Sequence, residues 1–87
     1  MTPRDVEVTV RYFAAARAAA GVDAETLALP PGATVDQLVT TLSARGAKLG
    51  SVLARCSFLA DGVAVRDKSM ALQTSVTLDV LPPFAGG

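Results

Sequence analysis

Eighty-seven residues, 51 % of them hydrophobic and 18 % charged, make one small folded domain with a thin core and no room for a deep private active site. Eight basic residues balance eight acidic ones, so the cationic excess that drives phosphate-backbone binding is missing and nucleic acid is not an expected partner. There is no His, no Trp and a single cysteine, Cys56, which excludes a His-based triad, an internal disulfide and a multi-thiolate metal site.

The first residues carry Arg4, Asp5 and Glu7 and no secretory core. The apolar stretch from Phe13 to Val22 is interrupted by Arg17 and is too short to span a bilayer. A soluble, cytoplasmic protein without a membrane partner is expected. From Val6 to Phe13 the pattern alternates as in a half-buried strand, with Val6, Val8, Val10 and Tyr12 on one face and Glu7, Thr9, Arg11 and Phe13 on the other. Phe13 is the apolar residue on the polar face. Ala14–Ala20 is almost all alanine and ends at Gly21, which predicts a short helix carrying Arg17.

Glu25 to Leu29 predicts a second strand, closed by Pro30-Pro31-Gly32. Thr34 and Gln37 have capping-box spacing, and Val35, Leu38, Val39 and Leu42 recur at i, i+3, i+4 and i+7, which predicts the main helix. Lys48 to Arg55 predicts a helical segment of about two turns that needs packing to persist. Ser57 to Ala60 and Val63 to Val65 flank Asp61-Gly62, a dipeptide suited to a type I′ hairpin turn.

Ser75 to Leu81 predicts the last strand, with Val76, Leu78 and Val80 on one face and Thr77, Asp79 and Leu81 on the other. Leu81 is again apolar on the polar side. Pro82-Pro83 ends the ladder, and Phe84-Ala85-Gly86-Gly87 has too little side chain to pack. Met70 and Leu72 are expected in the core, Cys56 as a small packing residue, and Asp61, Asp67 and Asp79 as solvated charges.

One sheet over one main helix fits this order: an α+β roll of the β-grasp type, with a body over residues 1–81 and a flexible tail over 82–87. In such a roll the first and last strands are parallel neighbours. Phe13 and Leu81 then share the outward face at the end from which the tail leaves, as an apolar docking patch. Two glycines closing a chain arise by chance in roughly one sequence in two hundred. Glycine has no Cβ and permissive dihedrals, and six residues from Pro82 to Gly87 extend about 20 Å, enough to thread another protein's channel. A terminal carboxylate with pKa roughly 3.5 is a poor electrophile until activated. The chain lacks both common nucleotide-binding loops, so a partner must do the activating.

Tyr12-Phe13-Ala14 with Arg17 and Gly21, Pro31-Gly32-Ala33-Thr34-Val35 before the main helix, and Leu81-Pro82-Pro83 before Gly86-Gly87 resemble the small subunits of molybdopterin synthase. The resemblance implies a ubiquitin-like sulfur carrier with no bound cofactor. In that family an adenylyltransferase of the ubiquitin-activating type uses ATP and magnesium to make an acyl-adenylate at the last glycine. Sulfur then replaces AMP to leave a thiocarboxylate, and the large synthase subunit spends that sulfur on the dithiolene of molybdopterin.

Carried to this chain, the resemblance makes Gly87 the sulfur bearer and Gly86 the residue that keeps the channel clear. Phe13, Leu81, Phe84 and Val65 become apolar partner contacts. Arg17 is a partner contact or a helix-surface charge. The chain departs from the family at Asp61-Gly62, where Asn-Gly is frequent, and at Gln73-Thr74-Ser75, where a glycine-bearing acidic turn is usual. Carriers for thiamine, cysteine or transfer-RNA thiolation, protein-modifier tags, and a β-grasp binding module with an incidental tail are the alternatives.

Overall fold

The computed structural model describes residues 5–83. The order is β1 (Val6–Tyr12), α1 (Ala14–Ala20), β2 (Ala24–Leu29), α2 (Val35–Ser43), α3 (Ala47–Leu53), β3 (Ser57–Ala60), β4 (Val63–Ala64) and β5 (Val76–Leu81). The strands form one mixed sheet in the order β2-β1-β5-β3-β4. β1 and β5 run parallel at its centre, and the remaining pairs are antiparallel. This is the expected β-grasp roll.

Alternation decides which side of the sheet is covered. Val6, Val8, Val10 and Tyr12 of β1 and Val76, Leu78 and Val80 of β5 are buried, and they meet Leu38 and Leu42 of α2 and Leu49 and Leu53 of α3 in one core. Val8, Val10, Leu38, Leu42, Leu53, Leu78 and Val80 are fully enclosed. A fully buried aliphatic side chain contributes about 1.5–3 kcal/mol, so these few positions carry much of the stability of so small a body.

The local signals act where the sequence puts them. Thr34 accepts the Gln37 backbone N–H at 3.1 Å, and the Gln37 side chain accepts the Thr34 N–H at 2.9 Å, closing the capping box of α2. α1 ends on Gly21 at φ 81°, whose N–H donates to the Arg17 carbonyl; an L side chain disfavours that dihedral, and glycine does not. Asp61 and Gly62 both take positive φ, 48° and 83°, which is the type I′ pairing that matches strand twist. α3 survives because it packs on both α2 and α1. Gly50 allows the approach: a Cβ there would stand 3.3 Å from the Ser43 Cβ.

Four expectations need correction. Met70 is 65 % exposed, whereas Leu72 is buried and donates its N–H to the Ala33 carbonyl at 2.7 Å. The chain between β4 and β5 therefore pins one side chain and releases the other. Asp79 is buried beside Arg11, and Asp61 accepts the Thr77 N–H at 2.9 Å, so neither is merely a solvated charge. Pro82 is buried and Pro83 exposed, so the body reaches one residue past the expected boundary. Residues 84–87, the rest of the expected tail, lie outside the described residues.

Candidate functional site

The parallel β1–β5 ladder builds the site. Tyr12 pairs with Val80, and the Phe13 N–H donates to the Val80 carbonyl at 3.3 Å. The residues following each, Phe13 and Leu81, therefore leave the sheet on the outward face at one end. Both are half-buried. Leu81 is opposite Ser57 and Asp79 is opposite Leu59, which adds Leu59 of β3 to the same face. Between these apolar groups lies a polar bar in which Arg11 is bound to Asp79 through two contacts of 2.6 and 2.9 Å.

Arg17 stands at this end on α1, lining one shallow groove with Arg11, Phe13 and Asp23. Among the described residues it pairs with Asp23 at 3.7 Å, between side chains 61 % and 85 % exposed, so the charge is open to solvent. Pro82 and Pro83 lead the chain away through a groove of about 200 Å³ lined also by Ala15, Ser51, Val52 and Arg55. Gly86, Gly87 and Phe84 lie outside the described residues.

Val65 is not brought to this face. Its N–H donates to the carbonyl of Phe58, a core residue, and its side chain packs against the core. It lines an open apolar groove of about 490 Å³ with Val35, Val63, Met70, Leu72 and Val76, near the start of β5 and away from the exit. The correction follows from parity: the two-residue strand β4 ends at Ala64, which pairs with outward-facing Leu59, so the next residue turns inward. Leu59 and the Arg11–Asp79 pair are what the sequence reading missed. Both lie on the face of Phe13 and Leu81, and the signal was available in the alternation once the strand neighbours were known.

Cys56 is buried, and its thiol donates to the Val52 carbonyl at 3.2 Å. Burial pushes its pKa up, against a smaller opposing pull from the Lys68 charge, so the reactive thiolate is disfavoured. Among the described residues there is no group of three His, Cys, Asp or Glu that could hold a metal ion, and no helix long and apolar enough to cross a membrane.

A mixed five-stranded sheet with parallel central strands, closed over helices on one face and leading from its last strand into a Pro-Pro exit beside an apolar patch, defines a ubiquitin-like β-grasp protein. The chain belongs to the ThiS family, whose model matches residues 10–87. It is similar to the molybdopterin synthase sulfur carrier subunit of Chlamydomonas reinhardtii, at 32 % identity over 83 residues, covering 94 % of this chain and 100 % of that one. A solved structure described as a putative molybdopterin converting factor, subunit 1, from Pyrococcus furiosus is 31 % identical, covers 91 % of this chain and 99 % of its own, and superposes with a TM-score of 0.81. Another solved structure, a small archaeal modifier protein from Haloferax volcanii, shares the fold at 21 % identity, with 93 % and 99 % coverage and a TM-score of 0.80.

Proposed function

We propose that this chain is the sulfur-carrier small subunit of a molybdopterin synthase. The observation that carries the reading is the β1–β5 register, which sets Phe13 beside Leu81 where the chain leaves the body toward its two closing glycines. The 32 % identity to a molybdopterin synthase sulfur carrier subunit supports the choice of pathway.

The chemistry follows from the carboxylate of Gly87. Ionised, it resists attack; an adenylyltransferase joins it to the AMP of ATP, with magnesium, and releases pyrophosphate. Sulfide-level sulfur delivered by the activating partner attacks the acyl carbon, AMP leaves, and a thiocarboxylate remains. Gly86 and Gly87 present no Cβ to the channel that receives them. The five residues from Pro83 to Gly87 span at most about 18 Å, so the partner must sit against the body while the end reaches its active site. Phe13, Leu81 and Leu59 supply the apolar contact, and Arg17 is an open cation at its edge. In the large synthase subunit two such thiocarboxylates, one sulfur each, convert a cyclic pyranopterin monophosphate to the dithiolene, and water releases each acyl group as the Gly87 carboxylate. The chain is the donor in this reaction and not an enzyme by itself, and it works in the cytoplasm.

The test is deletion of Gly87. With the activating enzyme, ATP and a sulfur source, the full chain gains the mass of one sulfur in place of one oxygen and supports dithiolene formation with the large subunit. The truncated chain does neither and melts at the same temperature. Dithiolene formation by the truncated chain refutes the carrier reading. Recovery of the full chain chiefly as conjugates to lysines of other proteins favours a modifier tag instead.

A further inference from the structure

Arg11 and Asp79 are register partners across the central parallel pair. On the outward face the guanidinium donates from Nε to Asp79 Oδ1 at 2.6 Å and from Nη2 to Oδ2 at 2.9 Å, the fork geometry that only arginine offers a carboxylate. The same guanidinium stands 5.6 Å from the centre of the Phe13 ring, within cation–π range. The Asp79 side chain is 11 % exposed and that of Arg11 52 %, so the acid is seated in the sheet and the base lies over it, half open to solvent. An ordinary surface ion pair contributes little, because two long side chains must be frozen. Here the strand ladder fixes both backbones beforehand, and the third contact passes that order to Phe13.

We propose that Arg11 is a positioning residue for docking: gripped by Asp79, it holds the Phe13 ring in one orientation in the free protein, so the partner meets a ring that need not be ordered on binding. Freezing one side chain at an interface costs roughly 0.5–1.5 kcal/mol, which corresponds to an affinity effect of roughly two- to twelvefold. The inference rests on the docking reading given under the proposed function, and it adds a polar residue to a face otherwise defined by apolar ones. Lysine cannot replace Arg11, since an ammonium neither forks onto both carboxylate oxygens nor lies flat on a ring.

The experiment has two arms on the full chain. In the first, calorimetric titration with the molybdopterin synthase large subunit of the same organism compares wild type, Arg11→Met, Arg11→Lys, Phe13→Leu and the Arg11→Met/Phe13→Leu double variant, each first shown to be folded by its melting curve. Arg11→Met and Arg11→Lys are expected to bind roughly two- to twelvefold more weakly, whereas Arg11→Met made on top of Phe13→Leu changes affinity less than about twofold. Wild-type affinity in Arg11→Met, or additive losses in the double variant, overturns the proposal, because a simple cross-strand tie would lower the melting temperature without this coupling.

The second arm needs no partner. Side-chain protons of Arg11 are expected to resonate upfield, shielded by the Phe13 ring, and to lose that shift in Phe13→Leu and part of it in Asp79→Asn. Unshifted Arg11 protons in the wild type overturn the proposal. If the wild-type chain does not bind the large subunit at all, the synthase reading fails, and the Arg11–Phe13 arrangement is judged by these shifts.

Discussion

The Tyr12 hydroxyl donates to Glu25 at 2.8 Å, and Glu25 accepts Arg45 at 2.7 Å, so a core residue of β1, a residue of β2 that pairs with Val10 and the turn between α2 and α3 are joined through one carboxylate. Burial pushes the Glu25 pKa up. The hydrogen bonds from Arg45 and Tyr12 and the Arg45 charge together outweigh it, leaving the carboxyl below its ordinary value. Burial first, then the bond to Glu25, holds the Tyr12 hydroxyl protonated well above the usual tyrosine range.

The sign of the pH effect follows. A carboxylate with a depressed folded pKa binds fewer protons folded than unfolded, so its contribution is complete above the unfolded value, 4.5, and is lost as pH falls through the folded value. Melting temperature is expected to fall as the pH is lowered below about 4.5, and Glu25→Gln is expected to flatten that part of the profile. Parallel profiles for wild type and variant would mean that Glu25 is not linked to acid stability. Tyr12→Phe should cost about 1 kcal/mol at neutral pH, the usual net worth of a hydrogen bond.

Leu81→Asp separates docking from packing. Leu81 is half-buried on the outward face, two residues from Asp79 on the same strand, so the variant gains like-charge repulsion and loses part of an apolar contact. It is expected to remain folded with a loss of about 1 kcal/mol and to bind the large subunit at least about tenfold more weakly. Collapse of the fold in a melting experiment would show that Leu81 serves the core instead.

Gly50→Leu tests the close approach of α3 to α2. The added Cβ would stand 3.3 Å from the Ser43 Cβ and 3.4 Å from the Ser43 carbonyl oxygen, so Ser43 must give by a few tenths of an ångström. A loss of about 1–3 kcal/mol is expected from overpacking, read from chemical denaturation. Thr34→Ala, which removes the capping box at the other end of α2, should cost about 1 kcal/mol. The two sites share no partner, so the double variant is expected to show the sum of the two losses.

Cys56 offers a control on where sulfur is carried. Because its thiol is buried and its pKa raised, a thiol reagent should modify the native chain far more slowly than the denatured chain. Cys56→Ala should still accept sulfur at the terminus, as seen by intact mass. Loss of sulfur loading in a folded Cys56→Ala protein would place the cysteine in the chemistry.

The sequence by itself determined what short-range physics decides. Alternation set the inward faces of β1 and β5, Thr34 and Gln37 marked the start of α2, Gly21 ended α1, and Asp61-Gly62 made the turn, because each needs only neighbours a few residues away. The tail motif and the family resemblance were equally legible along the chain. The tertiary structure decided which strands became neighbours, and so paired Arg11 with Asp79 across 68 positions, turned Val65 inward and Leu59 outward, left Met70 in solvent, and drew Tyr12, Glu25 and Arg45 together. A charge on a strand reads the same in a sequence whether water or an arginine faces it, and only the sheet's register supplies the partner.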